Sequence, residues 1–365
     1  MRLSVISAVI LLCIESSFGQ GMKFDQDSFV STPKIDQTRS AVYSSHSLES
    51  YAPTPYPQSG GTCVAHAFTN ARTILLAKEL RTTNAEDIAL LMFSPYHFYY
   101  ENKNVTDYDC SDGLDLDKAA KYALNYGFCP LVKVEYKYYY PFSDRELCLT
   151  SKYPTNLVSN RSTSMKYRPD NLYRIENISD IRIALSNDMP IVVGMAVPNS
   201  FASCTSKTWY PRTSDNIESS YGHAMLIVGY DDNFQGGSVR VMNSWGTSWG
   251  DAGFVWIRYK DLVNWTYGGY AIEKYYRSRG AAEEKGFNDE ALFSYLQDSD
   301  SLESEDVQNN EINNYIITQL TDSSYQSSII DVTEGDKKID IITSENLPIR
   351  NHYNGPFRRA YGLKD

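Results

Sequence analysis

The apolar residues of this chain change their period part-way along it, and that change limits the fold more than any other feature. Val64, Ala67, Phe68, Ala71, Ile74 and Leu75 recur at i, i+3, i+4 and i+7, which predicts a helix directly after the loop Gln58-Ser-Gly-Gly-Thr62. Asp117 to Tyr126 predicts a second helix, closed by Gly127, and Ile178 to Asn187 a third. Beyond Pro190 the signals become short strands: Ile191–Val197, Ala224–Gly229, Val239–Met242, Gly253–Tyr259 and Tyr270–Tyr275. Helices first and strands later predict an α+β fold, with a helical first half and an antiparallel β-rich second half packed as two subdomains.

The ends read differently from this body. Residues 1–20 carry Arg2, then an apolar stretch over 3–14, then Ser-Phe-Gly. This is the pattern of a secretory signal peptide and is too short to span a membrane. Residues 21–39 are polar and contain Pro33, which predicts an extended lead-in to a domain over 40–277. Net charge is −11, but residues 281–365 hold 17 acidic and 7 basic groups, so the body is nearly neutral. That balance excludes binding driven by nucleic-acid phosphates. The region 278–365 is read as an acidic, low-order tail available to bind a partner or a cleft. No later run is long and apolar enough to cross a membrane. A soluble monomer in a secreted or extracytoplasmic compartment is expected. Without Cys13 of the leader, five cysteines remain: Cys63, Cys110, Cys129, Cys148 and Cys204. In an oxidising compartment four can pair and one is left over.

Three residues carry the chemistry. Cys63 opens the first helix, where the positive end of the helix dipole favours thiolate and lowers the thiol pKa. His223 begins a strand that reads as fully buried, in Tyr221-Gly-His-Ala-Met-Leu-Ile-Val-Gly-Tyr230. Asn243 follows another strand, in Asn243-Ser-Trp-Gly-Thr-Ser-Trp-Gly-Asp-Ala-Gly-Phe254. A thiolate nucleophile needs an imidazole to hold and return the proton. The imidazole needs a third group to orient it, which an Asn side-chain oxygen can do.

From about residue 40 to 277 these motifs resemble the papain-like cysteine peptidases, in particular bacterial-type secreted members. Gly61-Thr-Cys-Val-Ala-His-Ala-Phe68, Phe93-Ser-Pro-Tyr-His-Phe-Tyr-Tyr100, Asp112-Gly-Leu114 and Tyr126-Gly-Phe-Cys-Pro130 add to the match. The resemblance implies a cysteine-type peptidase (a hydrolase) on a papain-like two-subdomain fold, with a cleft for an extended peptide or protein substrate. It implies Cys63 as nucleophile, His223 as general base and acid, Asn243 as orienter and Trp245 as a shield over the His–Asn bond. Gln58 and the Cys63 backbone N–H become the oxyanion donors. It implies the pairs Cys110–Cys148 and Cys129–Cys204, with Cys63 the odd thiol. No metal and no cofactor is expected.

The pattern also departs from the family. Gln58 stands five residues before Cys63 rather than six, Val64 replaces an aromatic residue, and Gly60 stands near a usual cysteine. The lead-in of roughly 20 residues is expected to be too short to cover a cleft. His66, three residues after Cys63, is a competing base without an orienting partner. The second expectation is a catalytically weak pseudopeptidase that binds peptides or partners through the same cleft.

Overall fold

Helix α2 (Cys63–Glu79) is buried on every side from Cys63 to Ala77, not along one stripe. The helical period is as expected, but the helix is central rather than amphipathic. Its buried threonines tolerate this because they bond back to the helix itself. Thr69 donates to Ala65 O at 2.8 Å and Thr73 to Thr69 O at 2.9 Å. Arg72 donates to Tyr167 O at 3.1 Å, with its guanidinium over the Phe93 ring.

In this computed structural model the described residues are 21–39, 43–131, 161–274, 329–332 and 339–342. Residues 1–20, Cys148 and most of residues 278–365 lie outside them, as do the expectations that concern them. The chain begins with strand β1 (Met22–Lys23) and helix α1 (Gln26–Ser31), capped by the Asp25 side chain on the Asp27 and Ser28 N–H groups. The lead-in is therefore not wholly extended. Strand β2 (Ser45–Ser47) precedes α2. Helices α3 (Ala85–Leu90) and α4 (Pro95–Asn102) follow it, capped by Asn84 and Ser94. Strand β3 (Leu114–Asp115) leads into α5 (Leu116–Tyr126), which Gly127 ends at φ 76°.

The second half is a sheet. Strands β4 (Asn171–Ile175), β5 (Ile191–Val197), β6 (Thr208–Trp209), β7 (Tyr221–Asp231), β8 (Ser238–Met242), β9 (Phe254–Arg258) and β10 (Thr266–Glu273) run in the order β4-β10-β5-β7-β8-β9-β6, with β2 also paired to β7. All of these pairings are antiparallel except β6 with β9. Helix α6 (Arg161–Lys166) precedes the sheet, and α7 (Ile178–Ser186) connects β4 to β5. β5 is buried throughout and β7 over His223–Tyr230, as continuous apolar runs require. One apolar core joins α2 to β5, β7 and β8. In the tail, β11 (Ile329–Val332) and β12 (Ile339–Ile342) pair as an antiparallel hairpin, where no strand was expected.

Cys204 keeps a buried thiol that reaches Ser206 O at 3.5 Å, so the expected Cys129–Cys204 bridge is not formed. The other expected pair reaches to Cys148, outside the described residues.

Candidate active site

The site forms where the first turn of α2 meets the start of β7. Cys63 is the first residue of α2, and its sulfur is within reach of the Ala224 backbone N–H, one residue past His223. His223 Nε2 lies 2.8 Å from Asn243 Oδ1. The Ser244 N–H donates to the same oxygen at 2.8 Å, which fixes the orientation of the amide. An amide oxygen only accepts, so Nε2 carries the hydrogen and Nδ1 is left for a proton from elsewhere. The Trp245 ring stacks on the imidazole at 4.6 Å and 25°, and Trp249 stands edge-on behind it at 5.4 Å. Trp245 therefore covers one face of the imidazole.

Pro57 forms a β-bridge with Trp245, and Gln58 N–H donates to Ser244 O at 2.7 Å. The Gln58 amide is thereby held beside the Asn243–Trp245 segment despite the shortened loop. Its Nε2 donates to Gly60 O at 2.8 Å, and its Oε1 accepts from Ser244 Oγ at 2.6 Å. Nε2 carries two hydrogens, so one remains beyond the bond to Gly60. Ser244 was not singled out from the sequence. Its place between Asn243 and Trp245 is the signal that could have found it.

His66 is a different case. Its Nδ1 is 3.0 Å from Thr62 O, its ring packs on Tyr56 and Tyr96, and its Nε2 is buried without a partner. Burial pushes its pKa down to about 4, helped by the charge of His223 and opposed by Thr62. It is a core imidazole, not a second base. The unfolded chain takes up this proton near pH 6.5, before the folded one does. The stability that depends on a neutral His66 is therefore whole above 6.5 and lost as pH falls to about 4. His66→Phe should remove this dependence. Between pH 6.5 and 4.5 its unfolding free energy should fall less steeply than the parent's, by roughly 1.4 kcal/mol per pH unit, as read from denaturant melts.

The cleft is not empty. Residues 21–23 run across it between β3 and β7. Met22 pairs with Leu114 in parallel register, and the Leu114 N–H donates to Gly21 O at 3.0 Å. A methyl group on Gly21 would sit 2.7 Å from Cys63 Sγ, and one on Gly222 would sit 2.6 Å from Met22 O. The Met22 side chain packs against Gly194, where an added methyl group would lie 3.0 Å from its Cε, and Met22 is 8% exposed. Asp117 Oδ2 accepts the Asp25 N–H at 2.7 Å, Phe24 stacks on Tyr267, and Phe29 meets Tyr270 edge-on. The lead-in is short, yet it covers the cleft, because three residues of backbone suffice to cross it.

Burial of the site reverses the expected electrostatics. Burial pushes the Cys63 thiol up to about 12, outweighing the backbone N–H groups of Ala224, Val64 and Cys63 that pull it down. Burial also pushes His223 down to about 4, against the bond to Asn243. Desolvation disfavours both charged partners, so the covered pair is neutral thiol and neutral imidazole.

Residues 61–274 match the family model described as papain family cysteine protease. The chain therefore belongs to the papain family of cysteine proteases. Among solved structures it is similar to xylellain, a cysteine protease from Xylella fastidiosa, at 20% identity over 67% of this chain and 92% of that one, with a TM-score of 0.53. It is also similar to a procathepsin B from Trypanosoma congolense, at 19% identity over 70% of this chain and 86% of that one, with a TM-score of 0.50. Both likenesses concern the fold. An uncharacterized peptidase C1-like protein of Acanthamoeba polyphaga mimivirus is 34% identical over 91 residues, 24% of this chain and 29% of that relative's length.

Proposed function

We propose that this chain is a secreted cysteine peptidase, made latent by its own residues 21–32, that hydrolyses peptide bonds through a thioester at Cys63. The observation that carries this reading is the oriented imidazole: His223 bonded to Asn243 at 2.8 Å under Trp245, next in the chain to the residue whose N–H reaches Cys63. When the segment leaves and water enters, the desolvation cost falls and the Cys63 proton passes to His223 Nδ1. The thiolate attacks the peptide carbonyl. The oxyanion meets the Cys63 N–H and the remaining Gln58 Nε2 hydrogen. His223 then gives its proton to the leaving amine, and the C–N bond breaks. Water attacks the thioester, His223 takes its proton, and the thiol is restored with release of the acid. The leader-like residues 1–20 support export, and no described helix is long and apolar enough to cross a membrane.

The test is alkylation. Protein opened by Met22→Asp should take up one iodoacetamide at Cys63, and hydrolysis of an unfolded protein substrate should vanish in step with that modification. Full hydrolysis after complete alkylation of Cys63 would falsify the assignment. A fast-alkylating protein that hydrolyses nothing would support the pseudopeptidase reading.

A further inference from the structure

The edge that receives the chain in the cleft is only two residues long, and short edges need outside support to hold their geometry. Leu114 offers its N–H into the cleft, where Gly21 O now accepts it at 3.0 Å. The preceding N–H, that of Gly113, points the other way and donates to Tyr99 Oη at 3.1 Å. Tyr99 Oη in turn donates to Asp107 Oδ2 at 2.6 Å. The second oxygen of Asp107 accepts the Ser111 N–H at 3.2 Å, and the Asp107 N–H is tied to Asn104 O at 3.1 Å. Tyr99 is fully buried on α4 and Asp107 is 2% exposed. One hydroxyl thus links helix α4, the 107–111 turn and the edge of the cleft.

No disulfide among the described residues joins the nucleophile loop to this turn. Gly60 stands where a cysteine could have made one, and a methyl group there would lie 2.6 Å from Cys110 O. The two loops are joined instead by the Gly61 N–H on Cys110 O at 2.6 Å. That contact fixes one end of the turn, and the Tyr99 hydroxyl fixes the other.

We propose that Tyr99 and Asp107 are positioning residues for substrate, holding Gly113 so that the Leu114 N–H faces the backbone of an extended peptide. This rests on the reading that the Cys63 cleft takes peptides. Neither side chain touches the reacting atoms. Their loss should weaken peptide binding and leave the thiol chemistry as it was.

The experiment uses the full chain carrying Met22→Asp, so that the internal segment does not compete. Tyr99→Phe should raise KM for an extended peptide about tenfold and change kcat less than about twofold. Iodoacetamide should alkylate Cys63 at the parent's rate, because that reagent needs no edge to bind. A synthetic peptide of residues 21–32, assayed by its protection of Cys63 from alkylation, should need about tenfold more to protect. Asp107→Asn keeps an acceptor for the hydroxyl and should raise KM less than Asp107→Ala. Asp107→Ala also serves if Tyr99→Phe fails to fold. An unchanged KM and unchanged protection would overturn the proposal, as would an equal fall in kcat and alkylation rate. If the parent hydrolyses nothing, the peptidase reading fails and the protection assay still decides this one.

Discussion

Exchanging Met22 for aspartate, or Gly21 for alanine, should raise both the alkylation rate of Cys63 and the rate of peptide hydrolysis by ten- to a hundredfold. The two substitutions act by different physics on the same contact. Aspartate would place a carboxylate beside Gly194 at a position where Met22 is nearly buried. Alanine would place a methyl group 2.7 Å from Cys63 Sγ and 2.8 Å from the Gly61 carbonyl oxygen. The second neighbour is backbone and cannot rotate away. Either change should cost the covered state roughly 2–3 kcal/mol, and each 1.4 kcal/mol shifts the ratio of covered to open molecules tenfold. The measurement is the alkylation rate at fixed pH, with hydrolysis on the same samples. Rates equal to the parent's would mean that residues 21–23 do not guard the thiol.

The second large effect belongs to the triad itself. In the opened protein Cys63→Ala should abolish hydrolysis, because no other described nucleophile stands at the Ala224 N–H and the start of α2. His223→Ala should lower kcat/KM by about a thousandfold or more, since it removes the group that takes and returns the proton. Asn243→Ala should cost less, about ten- to a hundredfold. It removes the 2.8 Å bond that sets the ring, yet Trp245 still stacks on one face. The order Cys63, His223, Asn243 in size of loss is the check. An Asn243→Ala protein with the parent's kcat/KM would mean that the imidazole is oriented by packing alone.

The placing of Cys63 beside the His223–Asn243 pair was legible because each of the three sits in a short motif whose neighbours have their own contacts. Gly222 lets Met22 O approach, and Ser244 and Trp245 hold the groups on either side of Asn243. Strands β5, β7 and β8 were legible because short runs rich in Val, Ile and Met, bounded on at least one side by Gly, Pro, Asn or Asp, read as strands, although β8 carries Arg240. Helices α3 and α4 were not predicted, although Asn84 and Ser94-Pro95 are good N-terminal signals. Their residues are apolar on most sides, so no stripe marks them. α2 announced its period but not its depth, because Thr69 and Thr73 look like a polar face until their hydroxyls are seen on helix carbonyls.

The covered cleft could not be read at all. β1 and β3 are two residues each, and their pairing joins positions 92 apart. Nothing local to Gly21 or Met22 records that Leu114 and Cys63 are their neighbours. The expected low thiol pKa failed for the same reason. The helix dipole is a local property of Cys63, whereas its desolvation is imposed partly by a distant stretch of chain.

The parallel pairing of Met22 with Leu114 also has a kinetic meaning. The guard is tethered, so it returns to the cleft at an effective concentration set by its linker, of millimolar order for a short flexible one, however dilute the protein. Diluting the intact chain would therefore not wake it. A single cut between Pro33 and Ser45 would turn that first-order closure into a second-order one. The freed segment would then hold the cleft only with its own affinity, and latency would fade with dilution.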